Sequence, residues 1–507
     1  MSEELVRPSL LRQLSDRTVT RPCVKFFPLT YAEFTVVAGR LARKLGTVLL
    51  GVSAPDGYGR RYTVLGADPF QSILVRGDVC RFTQYTPRGM VNVGYIRGNP
   101  WATIKSILAR FIISDSEEAP EVPSGGCIGY WGYELADFAE PKLHIYRSSD
   151  IDLPDCYLFL YDSFLVYDHV GGRAFVISSG VRPDGSISRY FAQRRVDWWE
   201  RLIRESLEDQ LGLKANGNFS AFSNLPIECR SSMTRQEFLR AVERARNYMR
   251  EGYIYQVNLS HRLEVEGDID AWQLYQVLIE NAGEVLGGFC NFGDFQLVSA
   301  SPELFLRIYK RSIVTRPIKG TRPRGKTEAL DAQFLQELRA SEKEKSELLM
   351  ITDLMRNDLG KICEFGSVKV PELFVIETYS YVYHQVSTVT GVLRPGLSHL
   401  DVLEACFPGG SVTGAPKIKA MQIIRELEPV PRGPYTGALG IIGFSESSHL
   451  SMVIRTAICC RGKVYYNVGS GIVIDSDPGV EYEETMVKAR CFLNSLLRTG
   501  LRAKVAD

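Results

Sequence analysis

The sequence predicts an α+β protein with large antiparallel β-sheets. Three observations support this fold class. The chain has 507 residues and a hydrophobic fraction of 45%, which is ordinary for a globular protein. Runs of alternating apolar and polar residues, bounded by Gly, Pro and Asp, are typical of antiparallel strands. Between them lie longer stretches whose apolar residues recur at helical spacing.

The N-terminal part, to about residue 180, contains mainly strand-like runs. They include "RRYTVLGADPFQSILVRG", "GCIGYWGYELADF" and "DCYLFLYDSFLVYDHVGGRAFVIS". An amphipathic helix is expected near 188–212, and the polar stretch "KANGNFSAFSNLPIECRSS" that follows has no periodicity, as in a linker. We therefore divide the chain into an N-terminal region, 1–214, a linker, 215–232, and a C-terminal region, 233–507.

The C-terminal region begins with a helix. Thr234 and Glu237 have the spacing of a capping box, and apolar residues at helical spacing follow in "FLRAVERARNYMREG". Next come strands in "YIYQVNLSHRLEVEG" and "GFCNFGDFQLVSASPELFLRIY", then one charged helix over about 329–358 and strands near 374–391. A Gly-rich segment, a helix from about Pro416, two further strands and a C-terminal helix complete the pattern.

Composition excludes several classes of function. Lys+Arg 60 against Asp+Glu 59 gives 60 − 59 = +1, so no overall field favours nucleic acid or a membrane surface. No apolar window reaches the roughly 18 residues that span a bilayer. The N-terminus "MSEELVRPSLLRQLSDR" lacks a signal-peptide pattern. Eleven cysteines without a CxxC pair and six histidines without an HExxH pattern make a His/Cys metal site unexpected. We expect a soluble cytoplasmic protein.

Two acidic pairs have helical spacing. Glu344 and Glu347 share one helix face, and so do Glu481 and Glu484, which Lys488 follows one turn later. Together the four carboxylates could hold a hard divalent cation of the Mg²⁺ type, leaving room for water and substrate carboxylates. Either pair alone is more typical of a solvated helix surface.

Glycine-rich segments offer backbone N–H groups to an anion. "FPGGSVTGAPKIKAM" (407–421) precedes a helix and lacks the GxxxxGK[ST] spacing, so it does not indicate nucleotide binding, and a purely structural turn remains an alternative. "NVGSGIVIDS" (467–476) is a second such segment. Arg455 lies in the apolar run "LSMVIRTAI"; a charged side chain inside a buried strand needs a partner, such as a carboxylate. Lys319, in "RPIKGTRPRG", could be a solvated charge, an anion clamp or a nucleophile.

These segments resemble, over nearly the whole chain, the chorismate-utilising enzymes. The resemblance rests on "YIYQVNLS", "SASPELF", "RPIKGTRPRG", "EKEKSELLMITDLMRNDLGKI", "YVYHQVS", "PGGSVTGAPKIKAM", "RGPYTGALGIIGF", "IRTAI" and "NVGSGIVIDSDPGVEYEETMVKAR" taken together. The sequence is most similar to the synthase subunits of aminodeoxychorismate synthases, with anthranilate synthase component I as the near relative. The resemblance implies a sandwich-like core with helices packed outside.

The resemblance also implies a set of site residues and a cofactor, Mg²⁺. As catalytic residues it implies a nucleophile, a general acid for the departing 4-hydroxyl and a histidine near the substrate ring. These are Lys319, Glu303 and His384. It implies substrate contacts at Gln256, Thr321, Ser411, Thr413, Tyr435, Arg455, Gly469, Gly471 and Lys488. Its Mg²⁺ ligands would be Glu344, Glu347, Glu481 and Glu484.

Lys319 distinguishes between the two nearest activities. Anthranilate synthases generally carry alanine there, whereas in the aminodeoxychorismate enzymes the lysine attacks C2 as the 4-hydroxyl leaves, and ammonia then enters at C4 and expels it. Attack requires the neutral amine, which desolvation or a nearby cation favours. Gln256 replaces the lysine base of the water-adding relatives, and this supports ammonia as the second nucleophile.

The expected activity is therefore amination of chorismate to 4-amino-4-deoxychorismate, in the 4-aminobenzoate and folate branch. No Gly-x-Cys-x-Gly elbow is present, so a separate glutamine amidotransferase subunit should supply ammonia. The stretch "VLLGVSAPDGYGRRY" lacks the Glu-Ser of the tryptophan-regulated relatives, which makes tryptophan feedback unexpected. Anthranilate synthase component I and a non-catalytic chorismate-binding subunit remain alternatives.

Overall fold

A computed structural model of the chain describes most of the sequence. Three of the features above lie wholly or partly outside the described residues: the N-terminal segment, most of the 215–232 linker, and residues 54–58 of the "VLLGVSAPDGYGRRY" stretch. Within the described part, no helix is long and apolar enough to cross a membrane. The described ranges are 19–53, 59–86, 89–115, 121–212, 229–267, 269–282, 286–379 and 381–499.

The described residues form eleven α-helices. Helix α5 begins at the predicted capping box: Glu237 N–H donates to Thr234 Oγ1, and Thr234 N–H donates to Glu237 Oε2. The helices are α1 (Tyr31–Leu41), α2 (Pro100–Leu108), α3 (Ala136–Ala139), α4 (Arg189–Gly212), α5 (Arg235–Arg250), α6 (Ala271–Ala282), α7 (Glu328–Ala340), α8 (Glu342–Gly360), α9 (His399–Cys406), α10 (Lys417–Leu427) and α11 (Pro478–Arg498).

The same residues form 26 strands, most of them in antiparallel pairs. They are β1 (Val19–Thr20), β2 (Cys23–Phe27), β3 (Val48–Ser53), β4 (Arg60–Gly66), β5 (Gln71–Arg76), β6 (Val79–Thr86), β7 (Gly89–Arg97), β8 (Ser114–Asp115), β9 (Gly126–Trp131), β10 (Cys156–Tyr161), β11 (Ser163–Asp168), β12 (Arg173–Ser178), β13 (Cys229–Ser231), β14 (Gln256–Glu266), β15 (Gly288–Asn291), β16 (Phe295–Ser299), β17 (Leu304–Tyr309), β18 (Ser312–Arg316), β19 (Ile318–Pro323), β20 (Lys369–Thr378), β21 (Val382–Val392), β22 (Gly414–Ala415), β23 (Ala438–Gly443), β24 (Ser447–Met452), β25 (Thr456–Cys460) and β26 (Lys463–Ile472).

Two twelve-stranded sheets dominate the fold. One has the order β19-β21-β18-β17-β24-β23-β9-β10-β5-β6-β7, with β20 also on β21. The other has the order β13-β14-β26-β25-β16-β15-β3-β4-β11-β12-β2, with β22 also on β14. Pairing of β9 with β23 and of β3 with β15 makes each sheet continuous between the N-terminal and C-terminal regions. The division into 1–214 and 233–507 stays a prediction about the chain.

The core lies between the sheets. Buried side chains of both sheets meet there, and the Tyr130 ring on β9 packs edge-on against Phe295 on β16 with centroids 6.1 Å apart. Helices cover the outer faces; α1, α4, α6 and α11 contribute to one apolar cluster, and α2, α5, α8, α9 and α10 to another. The predicted α+β class with a sandwich-like core and external helices is thus confirmed.

Two local predictions were wrong. The charged stretch 329–358 forms two helices, because Ser341 leaves helical geometry (ψ 99°), ends α7 and caps α8. Arg455 is not inside a buried strand: it lies in the turn between β24 and β25 at φ 50° and is half-buried. Because Arg455 lies in a turn and not in the sheet interior, it is only half-buried, and an ion-pair partner is not required by its burial.

Candidate active site

Five chain segments bring polar groups close together around Gly471 of β26: β19, the short turn 410–412, β26 itself, β14 and α8. Lys319 on β19 donates from Nζ to the carbonyl oxygen of Ser411, 3.3 Å away, in the short turn 410–412. A methyl group on Gly471 of β26 would lie 2.9 Å from Gln256 Nε2 and 3.6 Å from both Lys319 Nζ and Glu347 Oε2. A glycine at 471 therefore leaves open the space that these three polar groups face.

Glu303, immediately before β17, is buried beside this lysine. Ser411 donates from its hydroxyl to Glu303 Oε1. Burial raises the pKa of Glu303 from 4.5 to about 7, although the Ser411 hydrogen bond and the positive charge of Lys319 oppose the shift. A carboxyl group with this pKa is about half protonated at neutral pH, which suits a proton donor.

His384 on β21 lies across the sheet from Thr321 on β19. Thr321 Oγ1 and His384 Nδ1 are 2.9 Å apart. Burial lowers the pKa of His384 to about 4, with Arg455 adding to the shift and Glu377 opposing it. His384 is consequently neutral at physiological pH and can offer a hydrogen bond without a positive charge.

Three carboxylates from α8 and α11 influence one another. Burial raises the pKa of Glu347; Lys319 and Lys343 oppose this, and Glu484 and Glu481 add to it. For Glu484, burial would raise the pKa, but Lys488, Lys343 and Lys319 outweigh it and leave the pKa below its usual value. The cluster therefore combines closely spaced negative charges with compensating lysines.

Glu481 is the most deeply buried of these acids. It accepts from Ser476 Oγ at 2.7 Å, from Lys343 Nζ at 3.2 Å and from the Ser470 hydroxyl. Only 1% of Glu481 is exposed, so these donors replace the water that an ionised carboxylate would otherwise need. These three bonds use three of the roughly four acceptor sites of the carboxylate and leave one, on Oε2, for a further ligand.

Glu344 stands at the edge of the cluster. Its Oε1 accepts from Arg322 at 2.8 Å, whereas its buried Oε2 has no hydrogen-bond partner among the described residues. Gly320, at φ 83°, leaves room for that oxygen because glycine has no Cβ; a Cβ at this position would lie 2.9 Å from Glu344 Oε2.

Among the described residues, no three His, Cys, Asp or Glu side chains form a ready metal site. The carboxylate donors and the unpartnered oxygen of Glu344 nevertheless fit a hard divalent cation by their chemistry. The assignment of the four glutamates as Mg²⁺ ligands stays a prediction.

Cationic and phenolic groups line the side near β26. Lys488 donates from Nζ to the carbonyl of Gly469 at 2.9 Å and to Glu484 Oε1 at 2.7 Å, and burial lowers its pKa although Glu484 opposes this. Arg455 NH1 lies 3.5 Å from the carbonyl oxygen of Lys488. A methyl group on Gly469 would lie 2.9 Å from the Tyr435 hydroxyl. Together these groups could bind substrate carboxylates.

Thr413, a predicted substrate contact, follows directly after the short turn 410–412. Its hydroxyl is buried and donates within its own turn, to the carbonyls of Gly409 and Gly410 at 3.2 and 3.3 Å. Any contact that Thr413 makes with a substrate would therefore compete with these bonds. Thr413 stays in the predicted set, with its side-chain donor already used.

Sequence reasoning missed several charged residues that bind the first half of the Gly-rich segment, residues 407–414, which we call the Gly-rich turn. Lys417 donates to the carbonyls of Cys406 and Pro408 at 3.0 and 2.9 Å and to Asp358 of α8 at 2.5 Å. Arg432 binds the same turn by donating from NH1 to the carbonyl of Val412. The lysine directly after Pro416 and the arginine of "RGPYTGAL" were visible signals, but no sequence pattern identified the backbone carbonyls to which they donate.

Comparisons with known proteins show which family the chain resembles. Residues 59–494 match the family of chorismate binding enzymes. Anthranilate synthase component 1 of Thermus thermophilus is 35% identical over 459 residues, 90% of this chain and 94% of that protein. Aminodeoxychorismate synthase component 1 of Bacillus subtilis is 33% identical over 469 residues, covering 92% and 96%. The crystal structure of anthranilate synthase component I from Streptococcus pneumoniae superposes with a TM-score of 0.70 at 30% identity, covering 87% and 94%.

Proposed function

The chain belongs to the chorismate-binding enzyme family, and from this premise we propose that it aminates chorismate with ammonia to give 4-amino-4-deoxychorismate. One observation carries the proposal: the Lys319 amine, Glu347 and Gln256 all border the space that the missing side chain of Gly471 leaves open. A primary amine at this place can form a bond to a bound substrate ring.

The proposed reaction has two displacements. The Lys319 amine bonds to C2 as the ring double bond shifts and the C4–O bond breaks, and Glu303 gives its proton to the departing hydroxyl, which leaves as water. Ammonia then bonds to C4 and the C2–N bond breaks, returning Lys319 with a proton that ammonia gives up. Buried Glu303, with its pKa of about 7, is a suitable proton donor for the first step.

Gln256 favours ammonia over water as the second nucleophile. Its side chain is 1% exposed, and its Oε1 has no hydrogen-bond partner among the described residues. An amide oxygen can accept a hydrogen bond from ammonia but cannot deprotonate water. We infer that ammonia comes from a glutamine amidotransferase subunit, as the name "component 1" of the relatives suggests for those proteins. A cytoplasmic location and a role in 4-aminobenzoate and folate synthesis are parts of the same proposal.

Magnesium is the proposed cofactor. Glu347 and Glu484, with Glu481 and Glu344, are the residues that would hold it, since all offer carboxylate oxygens from α8 and α11. When bound, the ion would neutralise negative charge on a substrate carboxylate.

Anthranilate synthesis is the second candidate. It is favoured by relatives named anthranilate synthase component 1, for example in Synechocystis at 37% identity over 86% of this chain. The two candidates share the fold and differ in whether pyruvate is lost.

Product identification decides between them. The purified chain is incubated with chorismate, Mg²⁺ and ammonium, and the product is identified by mass and by conversion to 4-aminobenzoate with a lyase. Fluorescent anthranilate with an equal amount of pyruvate would refute the proposal in favour of the alternative. Absence of chorismate consumption, also with an amidotransferase subunit and glutamine, would instead indicate a non-catalytic chorismate-binding subunit.

A further inference from the structure

A buried ion pair outside the proposed reaction joins three segments of the candidate site. Arg432 follows α10 and is 3% exposed, and Glu428 at the end of α10 is 4% exposed. Arg432 Nε donates to Glu428 Oε2 at 2.9 Å, and NH2 donates to Oε1 at 2.6 Å. A guanidinium bound in this two-pronged way is fixed in orientation as well as position.

The remaining donors of Arg432 each bind a different site segment. NH1 donates to the carbonyl of Val412 at 3.0 Å and to Thr436 Oγ1 at 3.2 Å, and NH2 donates to the carbonyl of Asn258 at 2.6 Å. Val412 lies between Ser411 and Thr413, and Asn258 lies two residues after Gln256. All five N–H donors of the guanidinium are therefore used, and three of them connect segments that carry predicted substrate contacts.

Glu428 and the neighbouring rings extend this connection. Glu428 Oε1 also accepts from the backbone N–H and hydroxyl of Ser260 on β14, at 2.8 and 2.9 Å. The guanidinium carbon lies 4.8 Å from the centre of the Tyr133 ring and 5.7 Å from that of Tyr435. The pair is thus joined at once to β14, to the Gly-rich turn and to the turn 433–436, which we call the Tyr435 turn.

We propose that Arg432, held by Glu428, is a positioning residue that fixes the Gly-rich turn, so that Ser411 meets Glu303 with its hydroxyl and Lys319 with its carbonyl. The reaction whose geometry it sets is the one proposed above, and in that respect the inference rests on the proposed function. Arg432 does not itself need to touch the substrate. Its effect passes through Val412, which is covalently joined to Ser411.

The variant Arg432→Lys tests this role. Lysine keeps the charge and can still pair with Glu428, but it has three donors instead of five and cannot hold Val412, Asn258 and Thr436 together. We expect chorismate turnover to fall about 100-fold, mainly in kcat, because a displaced turn misaligns the reacting groups. The alkaline limit of the pH profile should also move upward, since Glu303 loses the hydrogen bond that favours its ionised form.

The matched control is Arg195→Lys on α4. Arg195 is also a largely buried arginine; its polar partners among the described residues are Asp162 at 3.1 Å, Asp68 at 2.7 Å and Ser163, and these are not residues of the candidate site. Both variants should lose thermal stability, and only Arg432→Lys should lose turnover and shift its pH profile. If Arg432→Lys keeps turnover within about threefold of the parent, or if both variants lose activity in parallel, the positioning role is wrong.

Amide hydrogen exchange keeps the inference independent of the reaction. In Arg432→Lys, exchange across residues 409–414 should accelerate about tenfold or more relative to Arg195→Lys, whatever product the parent makes. Unchanged protection of that turn would overturn the inference even in an inactive protein. Anthranilate as the product of the parent would overturn the proposed product and leave the positioning role intact.

Discussion

The hydrogen bond from Ser411 to Glu303 gives the most quantitative prediction. The Ser411 hydroxyl donates to Glu303 Oε1 and stabilises its carboxylate form, whereas burial raises the pKa of Glu303 to about 7. A general acid works only while protonated, so turnover should fall as pH rises through about 7. With an ordinary pKa of 4.5 only about 0.3% of Glu303 would be protonated at pH 7, against about half with the raised value.

Replacing Ser411 with alanine removes the donor and leaves its backbone carbonyl, the partner of Lys319, in place. A hydrogen bond to a charged group contributes roughly 1.5–3 kcal/mol. At about 1.36 kcal/mol per pH unit, its loss should move the alkaline limit of kcat/KM upward by about one to two pH units. The limit moves upward because the Ser411 hydrogen bond stabilises the ionised form of Glu303, so its removal raises the pKa of Glu303.

The assay follows chorismate consumption from pH 6 to about pH 10 at constant free ammonia, because total ammonium alone would change the nucleophile concentration with pH. Ser206→Ala is the control, since that serine is buried on α4 and its hydroxyl donates to the carbonyl of Leu202 within the same helix, which carries no residue of the candidate site. An alkaline limit that stays in place or moves down in Ser411→Ala would refute the assignment of Glu303 as the acid held by Ser411.

Three further variants test other parts of the molecule. Lys319→Ala should abolish the covalent adduct detected by intact mass and lower kcat by roughly 10³-fold, whereas the exposed Lys326→Ala should do neither; an undiminished adduct would contradict the nucleophile role. Glu484→Gln should raise the Mg²⁺ concentration for half-maximal activity about tenfold or more, and an unchanged titration, equal to that of the exposed Glu483→Gln, would remove Glu484 from the predicted ligands. Thr234→Ala should lower the free energy of unfolding by about 1 kcal/mol in denaturant titrations through loss of the capping box, and an unaltered midpoint would show that the cap is unimportant.

Local sequence patterns determined the type of most elements. The helix predicted near 188–212 is Arg189–Gly212, and the capping box begins α5, because helix periodicity and capping depend on residues only a few positions apart. The break at Ser341 was missed because the residues on both sides favour helix, although Ser341 followed by Glu344 three residues later is a local helix-start signal.

Motifs in the sequence also supplied the candidate residues of the site, but not their contacts. Which glutamates act on Glu347 and which carbonyl accepts from Lys319 depend on segments that are far apart in the chain; Lys319 and Ser411, for example, are separated by 92 residues.

The sequence by itself determined the α+β class, the family resemblance and the set of chemical groups available, because these follow from local periodicity and residue identity. Only the tertiary structure decided that β3 pairs with β15 and β9 with β23, and that Arg432 uses its five donors to join β14, the Gly-rich turn and the Tyr435 turn. The physical reason is that buried donors require hydrogen-bond acceptors, and which acceptors lie within reach depends on the pairing of strands that are distant in sequence.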